Sequence, residues 1–181
     1  RYTTQDSDAK VDKAGWERFL GMLRKNRPRQ PLNGVLVCFG VDMLSRLSPT
    51  DREAHARTVR RRIKELETTL GQRLPVYMLV SKADLLAGFI EFFDDLDRET
   101  RAQVWGVTFP PQNPPEGLAA KFPEEFKALL GRLQDRLLER LQTERGAAQR
   151  AAIAAFPGQF ASLAEPLGAF VTAAFGGSRM D

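Results

Sequence analysis

Two unbroken apolar runs constrain the fold of this chain more than anything else in it: Gly34-Val35-Leu36-Val37-Cys38-Phe39-Gly40-Val41 and Pro75-Val76-Tyr77-Met78-Leu79-Val80. Both are rich in β-branched and aromatic residues. The first is continuous in the way of strands buried on both faces of a parallel sheet. Between them, Ser48-Pro49-Thr50-Asp51-Arg52-Glu53 offers two overlapping capping boxes, and Val59, Ile63, Leu66 and Leu70 line one side of a helix up to Gly71. Strand, helix and strand in that order predict a crossover unit.

The flanks extend the alternation. Val11, Trp16, Phe19, Leu20 and Leu23 predict a helix over 8–25, with Ser7 or Asp8 as its cap and Arg27-Pro28-Arg29-Gln30-Pro31 as its stop. Leu85, Phe89, Phe92, Phe93 and Leu96 space as a helix after the second strand, and Val104-Trp105-Gly106-Val107-Thr108-Phe109 reads as a third strand ended by a proline-rich loop. Phe126, Leu129, Leu130, Leu133, Leu137 and Leu141 mark an amphipathic helix over 123–145. Ile153, Phe156, Phe160, Leu163, Leu167, Phe170 and Val171 predict one or two further helices, broken near Pro157. The expected fold class is α/β: a parallel sheet with crossover helices on both faces over 1–145, followed by an α-helical extension over 146–181.

Composition narrows the function classes. A chain of 181 residues with 43% hydrophobic content buries one core and an appendage. Its 27 basic residues exceed 23 acidic ones by only four, which does not make nucleic acid a default partner, and none is expected. The single cysteine, Cys38, excludes an internal disulfide and reads as a small core residue, which is compatible with a reducing compartment. Ala151 to Ser178, the least charged region, is interrupted by Pro157, Glu165 and Pro166 and does not read as a membrane span. The chain opens on Arg1 in a polar string and reads as a piece of something longer.

The second apolar run delivers Ser81-Lys82-Ala83-Asp84. In P-loop GTPases an apolar strand ends in Asn/Thr-Lys-x-Asp, where the carboxylate accepts hydrogen bonds from the guanine edge and the Lys stem lies along the ring. Ser81, Lys82 and Asp84 are therefore candidate base-recognition residues, at the strand end where open α/β sheets bind ligands. The competing reading is a polar loop in which Asp84 caps a helix starting at Leu85.

Longer blocks carry a more specific resemblance. Arg1-Tyr2-Thr3-Thr4-Gln5, Arg27-Pro28-Arg29-Gln30-Pro31-Leu32-Asn33-Gly34, the run from Pro75 to Phe89, Phe92-Phe93-Asp94-Asp95-Leu96 and Arg101 to Phe109 resemble the cytoplasmic NTPase-like domain of the TssM (IcmF) family, the inner-membrane scaffold proteins of bacterial type VI secretion systems. The resemblance implies a partial P-loop GTPase-like sheet at the cytoplasmic face of the inner membrane, anchored by segments outside this chain. It implies contacts with the TssL cytoplasmic domain and baseplate components. It also implies GTP or ATP with magnesium as possible ligands of a complete domain, since the family's P-loop precedes the Arg1 block. No G-x-x-x-x-G-K-[ST] occurs here, so this chain alone is expected to be neither loaded with nucleotide nor catalytic.

By the same resemblance Arg1 stands where many small GTPases place a water-orienting Gln, and Thr3 and Thr4, with Gln5, are weak switch-like candidates. Elsewhere the residues read as structural. Arg57, Arg60, Arg61, Arg62 and Lys64 form a basic stretch, read first as a solvated helix face and second as a dock for an acidic partner or anionic headgroups. His55 reads as a surface residue, Trp16 and Trp105 as core, and Asp94, Asp95, Asp97 and Glu99 as a helix end or acidic surface rather than a cation site.

Overall fold

A computed structural model describes residues 9–109 and 117–176. Its elements run α1 (Ala9–Asn26), β1 (Val35–Gly40), α2 (Val41–Arg46), α3 (Pro49–Leu70), β2 (Val76–Ser81), a 3₁₀ turn (Ala83–Leu85), α4 (Phe89–Phe93), α5 (Arg98–Arg101), α6 (Gly117–Thr143), α7 (Ala147–Ala161) and α8 (Ala164–Phe175). Several ends follow from local chemistry. Ser48 caps α3 by accepting the Asp51 amide at 3.1 Å, while its hydroxyl donates to the Asp51 carboxylate at 2.7 Å. Gly71 ends α3 in the left-handed region at φ 68°, where a Cβ would be strained.

The sheet corrects the expected fold class. Among the described residues it has two strands only, β1 and β2, parallel and in register from Val35 opposite Val76 to Gly40 opposite Ser81. Helices hold most of the described chain, and a P-loop GTPase-like sheet with helices on both faces is not what it forms. The expected third strand is absent from 104–109: Val104 is 98% exposed, while Trp105 turns onto Phe93 and Phe160 at ring distances of 5.6 and 5.0 Å. An aromatic docked on a helical core fixes this segment without a ladder, and a short apolar run carries no signal separating the two outcomes.

The strands are also covered on one face, not both. Val35, Val37 and Phe39 of β1, with Val76, Met78 and Val80 of β2, join the main core. Leu36 (72% exposed), Cys38, Tyr77 (60%) and Leu79 (51%) point the other way into solvent. Cys38 is thus an exposed thiol, not a core residue. Pairing places Leu36 opposite Tyr77 and Cys38 opposite Leu79, so the four make one apolar patch.

The covered face meets helices drawn from the whole chain. Phe39 packs on Phe170 of α8 at 4.7 Å, and α8 lies against α3. Phe92 of α4, Phe126 of α6, and Phe156 and Phe160 of α7 are all buried, with Phe126 and Phe160 stacked at 4.8 Å and 7°. Each such ring contributes about 1.5–3 kcal/mol by leaving water. Helices on both sides of the 145/146 boundary therefore share one core. A smaller cluster, Leu20, Leu66 and Leu74, fastens α1 to α3.

Two helical expectations need correction. The helix foreseen from Leu85 is divided into the 3₁₀ turn and the short α4, because Gly88 at φ 84° interrupts it. The break foreseen near Pro157 falls instead at Ser162–Leu163. Pro157 lies within α7, buried in the core, and the helix runs on past it to Ala161 despite the missing N–H. His55 is half-buried rather than on the surface, its ring 6.0 Å from that of Phe170.

Candidate functional site

The carboxyl ends of β1 and β2 lie side by side, and both lead into turns. β1 passes through Gly40 directly into α2, whose Val41 and Leu44 are buried, so Asp42 is held beside the end of β2. β2 ends at Ser81, and the chain reverses through Lys82, the one non-glycine residue with positive φ among the described residues (φ 59°). That conformation costs an L-residue roughly 1–2 kcal/mol.

Surrounding bonds hold it. The Ser81 hydroxyl donates to the Phe39 carbonyl at 3.2 Å, tying the two strand ends together. The Lys82 ammonium donates to both Asp42 carboxylate oxygens at 3.3 and 3.2 Å. Hydrogen bonding from Lys82 holds the Asp42 carboxyl below its usual 3.8, with the Lys82 and Arg46 charges adding to the effect. A Cβ at Gly40 would collide with the Asp42 carboxylate, so glycine leaves room for the carboxylate to fold back over the strand end. Asp84 is exposed within the 3₁₀ turn; it caps no α-helix, since α4 begins at Phe89 behind Gly88.

The structure thus brings Ser81, Lys82 and Asp84 to one corner and adds Asp42, which sequence reasoning did not single out. The only signal for Asp42 was its place two residues beyond the first strand. Thr3 and Thr4 lie outside the described residues. As a nucleotide site the corner fits in position only. Ser81 is turned inward, Lys82 is held by a carboxylate, and no glycine-rich phosphate loop exists in the sequence. Among the described residues no cluster of His, Cys, Asp and Glu is arranged to hold a metal ion.

A second corner anchors this loop to the helices. Gly88 packs against the Ala152 carbonyl of α7, leaving no room for a side chain. Beyond it, Arg140 of α6, only 4% exposed, donates to the Phe92 carbonyl at 3.1 Å, the Glu91 carbonyl at 2.8 Å and Asp94 at 2.6 Å. Arg136 donates to the same Phe92 carbonyl at 3.1 Å and to both Asp95 oxygens at 2.6 and 2.7 Å. Asp97 caps α5 from the Thr100 amide at 2.8 Å, which holds its carboxyl below the usual value. The acidic run from Asp94 to Asp97 therefore terminates α4 and begins α5. An apolar hollow of about 220 Å³ lies between α6, α7 and α8, lined by Phe122, Phe126, Leu130, Ala161 and Gly168, with Lys127 as its only titratable wall.

With this geometry in place, the family can be stated. The sequence profile of the IcmF-related N-terminal domain matches residues 9–181. The chain belongs to that family. It is similar to the type VI secretion system component TssM1 of Pseudomonas aeruginosa PAO1, with 49% identity over 177 residues covering 97% of the chain and 16% of the relative. This IcmF-related domain thus spans about a sixth of that protein. No solved structure matches it. Among the described residues no helix is long and apolar enough to cross a membrane.

Proposed function

We propose that this IcmF-related domain is an interaction module of a type VI secretion membrane complex, working at the cytoplasmic face of the inner membrane as a scaffold rather than as an enzyme. The bare sheet face carries the reading. Parallel sheets are ordinarily covered on both sides, yet Leu36, Cys38, Tyr77 and Leu79 stand open beside strand edges with no partner strand among the described residues. A surface of this kind recruits further polypeptide.

The cytoplasmic domain of TssL is the first partner to test, with baseplate components after it. Titration calorimetry should show binding that Tyr77→Lys with Leu79→Lys weakens at least tenfold, while the melting temperature stays put. Unchanged affinity in that double variant would remove the sheet face from the reading.

A second reading, a switch driven by GTP or ATP with magnesium in the longer protein, draws support from one observation: strained Lys82 and exposed Asp84 sit at the strand ends. A natural polypeptide containing this domain and its upstream neighbour decides it. Specific nucleotide binding must raise the melting temperature, and no rise at millimolar nucleotide ends the switch reading.

A further inference from the structure

The formal charge of the chain is not spread evenly. Residues 9–73 carry 15 Lys and Arg against 7 Asp and Glu, whereas the remainder carries 12 against 16. The excess of +4 therefore hides a segment at +8, which comprises α1, β1, α2 and α3. α3 concentrates it. Ala56, Val59 and Leu66 are buried, which turns Arg57, Arg61 and Lys64 outward. At 100° per residue these three fall within an arc of about 60°, and all are exposed. The acids flanking the row are Glu53, paired with Arg57 in an exposed bridge that water screens, Glu65, drawn aside to Arg62, and Glu67 one turn beyond Lys64.

The neighbouring helix adds a different ingredient. α1 is fastened to α3 through Leu20 and Leu66, and it exposes Phe19 and Met22 beside exposed Arg18 and Lys25. Large apolar side chains among basic ones suit the boundary between headgroups and acyl chains. We propose that the outer face of α3, led by Arg57, Arg61 and Lys64, seats on an anionic phospholipid bilayer with α1 beside it. A bilayer is favoured over an acidic protein because Phe19 and Met22 stand exposed among basic residues beside the row, and an interface of headgroups and acyl chains accepts both kinds of side chain. This surface is distinct from the sheet face, so either proposal can fail without the other.

The test uses the 181-residue chain and sedimentation with vesicles of phosphatidylcholine, with or without phosphatidylglycerol. The chain should partition onto phosphatidylglycerol vesicles, ignore pure phosphatidylcholine, and release as salt rises. Each basic residue near such a surface contributes about fivefold, so Arg57→Gln, Arg61→Gln and Lys64→Gln together should lower partitioning on the order of a hundredfold. Glutamine keeps the helix. A control with the same change of charge elsewhere, Arg98→Gln, Lys127→Gln and Arg132→Gln, should stay within about threefold of the parent by the same scale, since none of these lies on the row. Equal loss in the control, equal binding to neutral vesicles, or no binding at low salt overturns the proposal. So does tighter binding to polyglutamate or duplex DNA than to the anionic vesicles, which would assign the row to a protein or a nucleic acid.

Discussion

The two sides of this molecule solve the burial problem differently. Around α4, α6, α7 and α8 the aromatic rings of Phe92, Phe126, Phe156 and Phe160 are enclosed, and even a guanidinium, Arg140, is buried and saturated with acceptors. At the sheet, half of every strand faces water, and three large apolar side chains stay more than half exposed. The helical side is finished and the sheet side is open. Stability should therefore be sensitive in the first region and tolerant in the second, with partner binding showing the reverse.

Arg140→Leu is the strongest way to break that contrast. Removing the guanidinium takes the side-chain donor from the Glu91 carbonyl and Asp94 and leaves the Phe92 carbonyl and Asp95 to Arg136 alone, and the expected loss is about 3 kcal/mol in urea unfolding. A loss below about 1 kcal/mol would mean that the helical side is not closed as described. Gly88→Ala comes next. It combines a positive φ with a collision against the Ala152 backbone, and a loss of about 2–3 kcal/mol is expected.

The third is a pH effect. Burial pushes the His55 imidazole below its usual 6.5, so the unfolded chain takes up a proton more readily than the folded one. The stabilisation is present above pH 6.5 and is lost as pH falls through that value toward the lowered one. His55→Gln should flatten the slope of stability against pH in that window, and an unchanged slope would assign it to other groups. The smallest expected effect is the sharpest probe of the open side. Tyr77→Lys with Leu79→Lys should shift stability by no more than about 1 kcal/mol, because more than half of each side chain is already in water. A large loss would show that this face is structural.

How much of this was legible in the sequence depends on how local its cause is. Ser48 and Gly71 announce the ends of α3 through chemistry within a few residues, and both strands stand where their apolar runs lie. Val104 and Trp105 looked like a strand because a short apolar run reads the same whether it pairs in a sheet or rests an aromatic on a helix pair. One-sided burial was invisible for a similar reason. Leu36 and Leu79 are as apolar as the residues facing inward, so no alternation betrays the open side. At the candidate site, Ser81, Lys82 and Asp84 marked the right strand end, but the partner of Lys82 lies 40 residues away on the other strand's exit. Arg140 was hidden likewise: it reads as one more charge on an amphipathic helix, and its acceptors are more than 40 residues upstream.

The short span from Lys82 to Asp95 has a mechanical consequence. At one end it is pinned to the exit of β1 through Asp42; a few residues later Gly88 is wedged on α7, and the end of α4 is gripped by two arginines of α6. A load applied at the sheet corner would reach the helical layer through these anchors. Force from a docked partner would then pass from sheet to helices along one continuous stretch of chain.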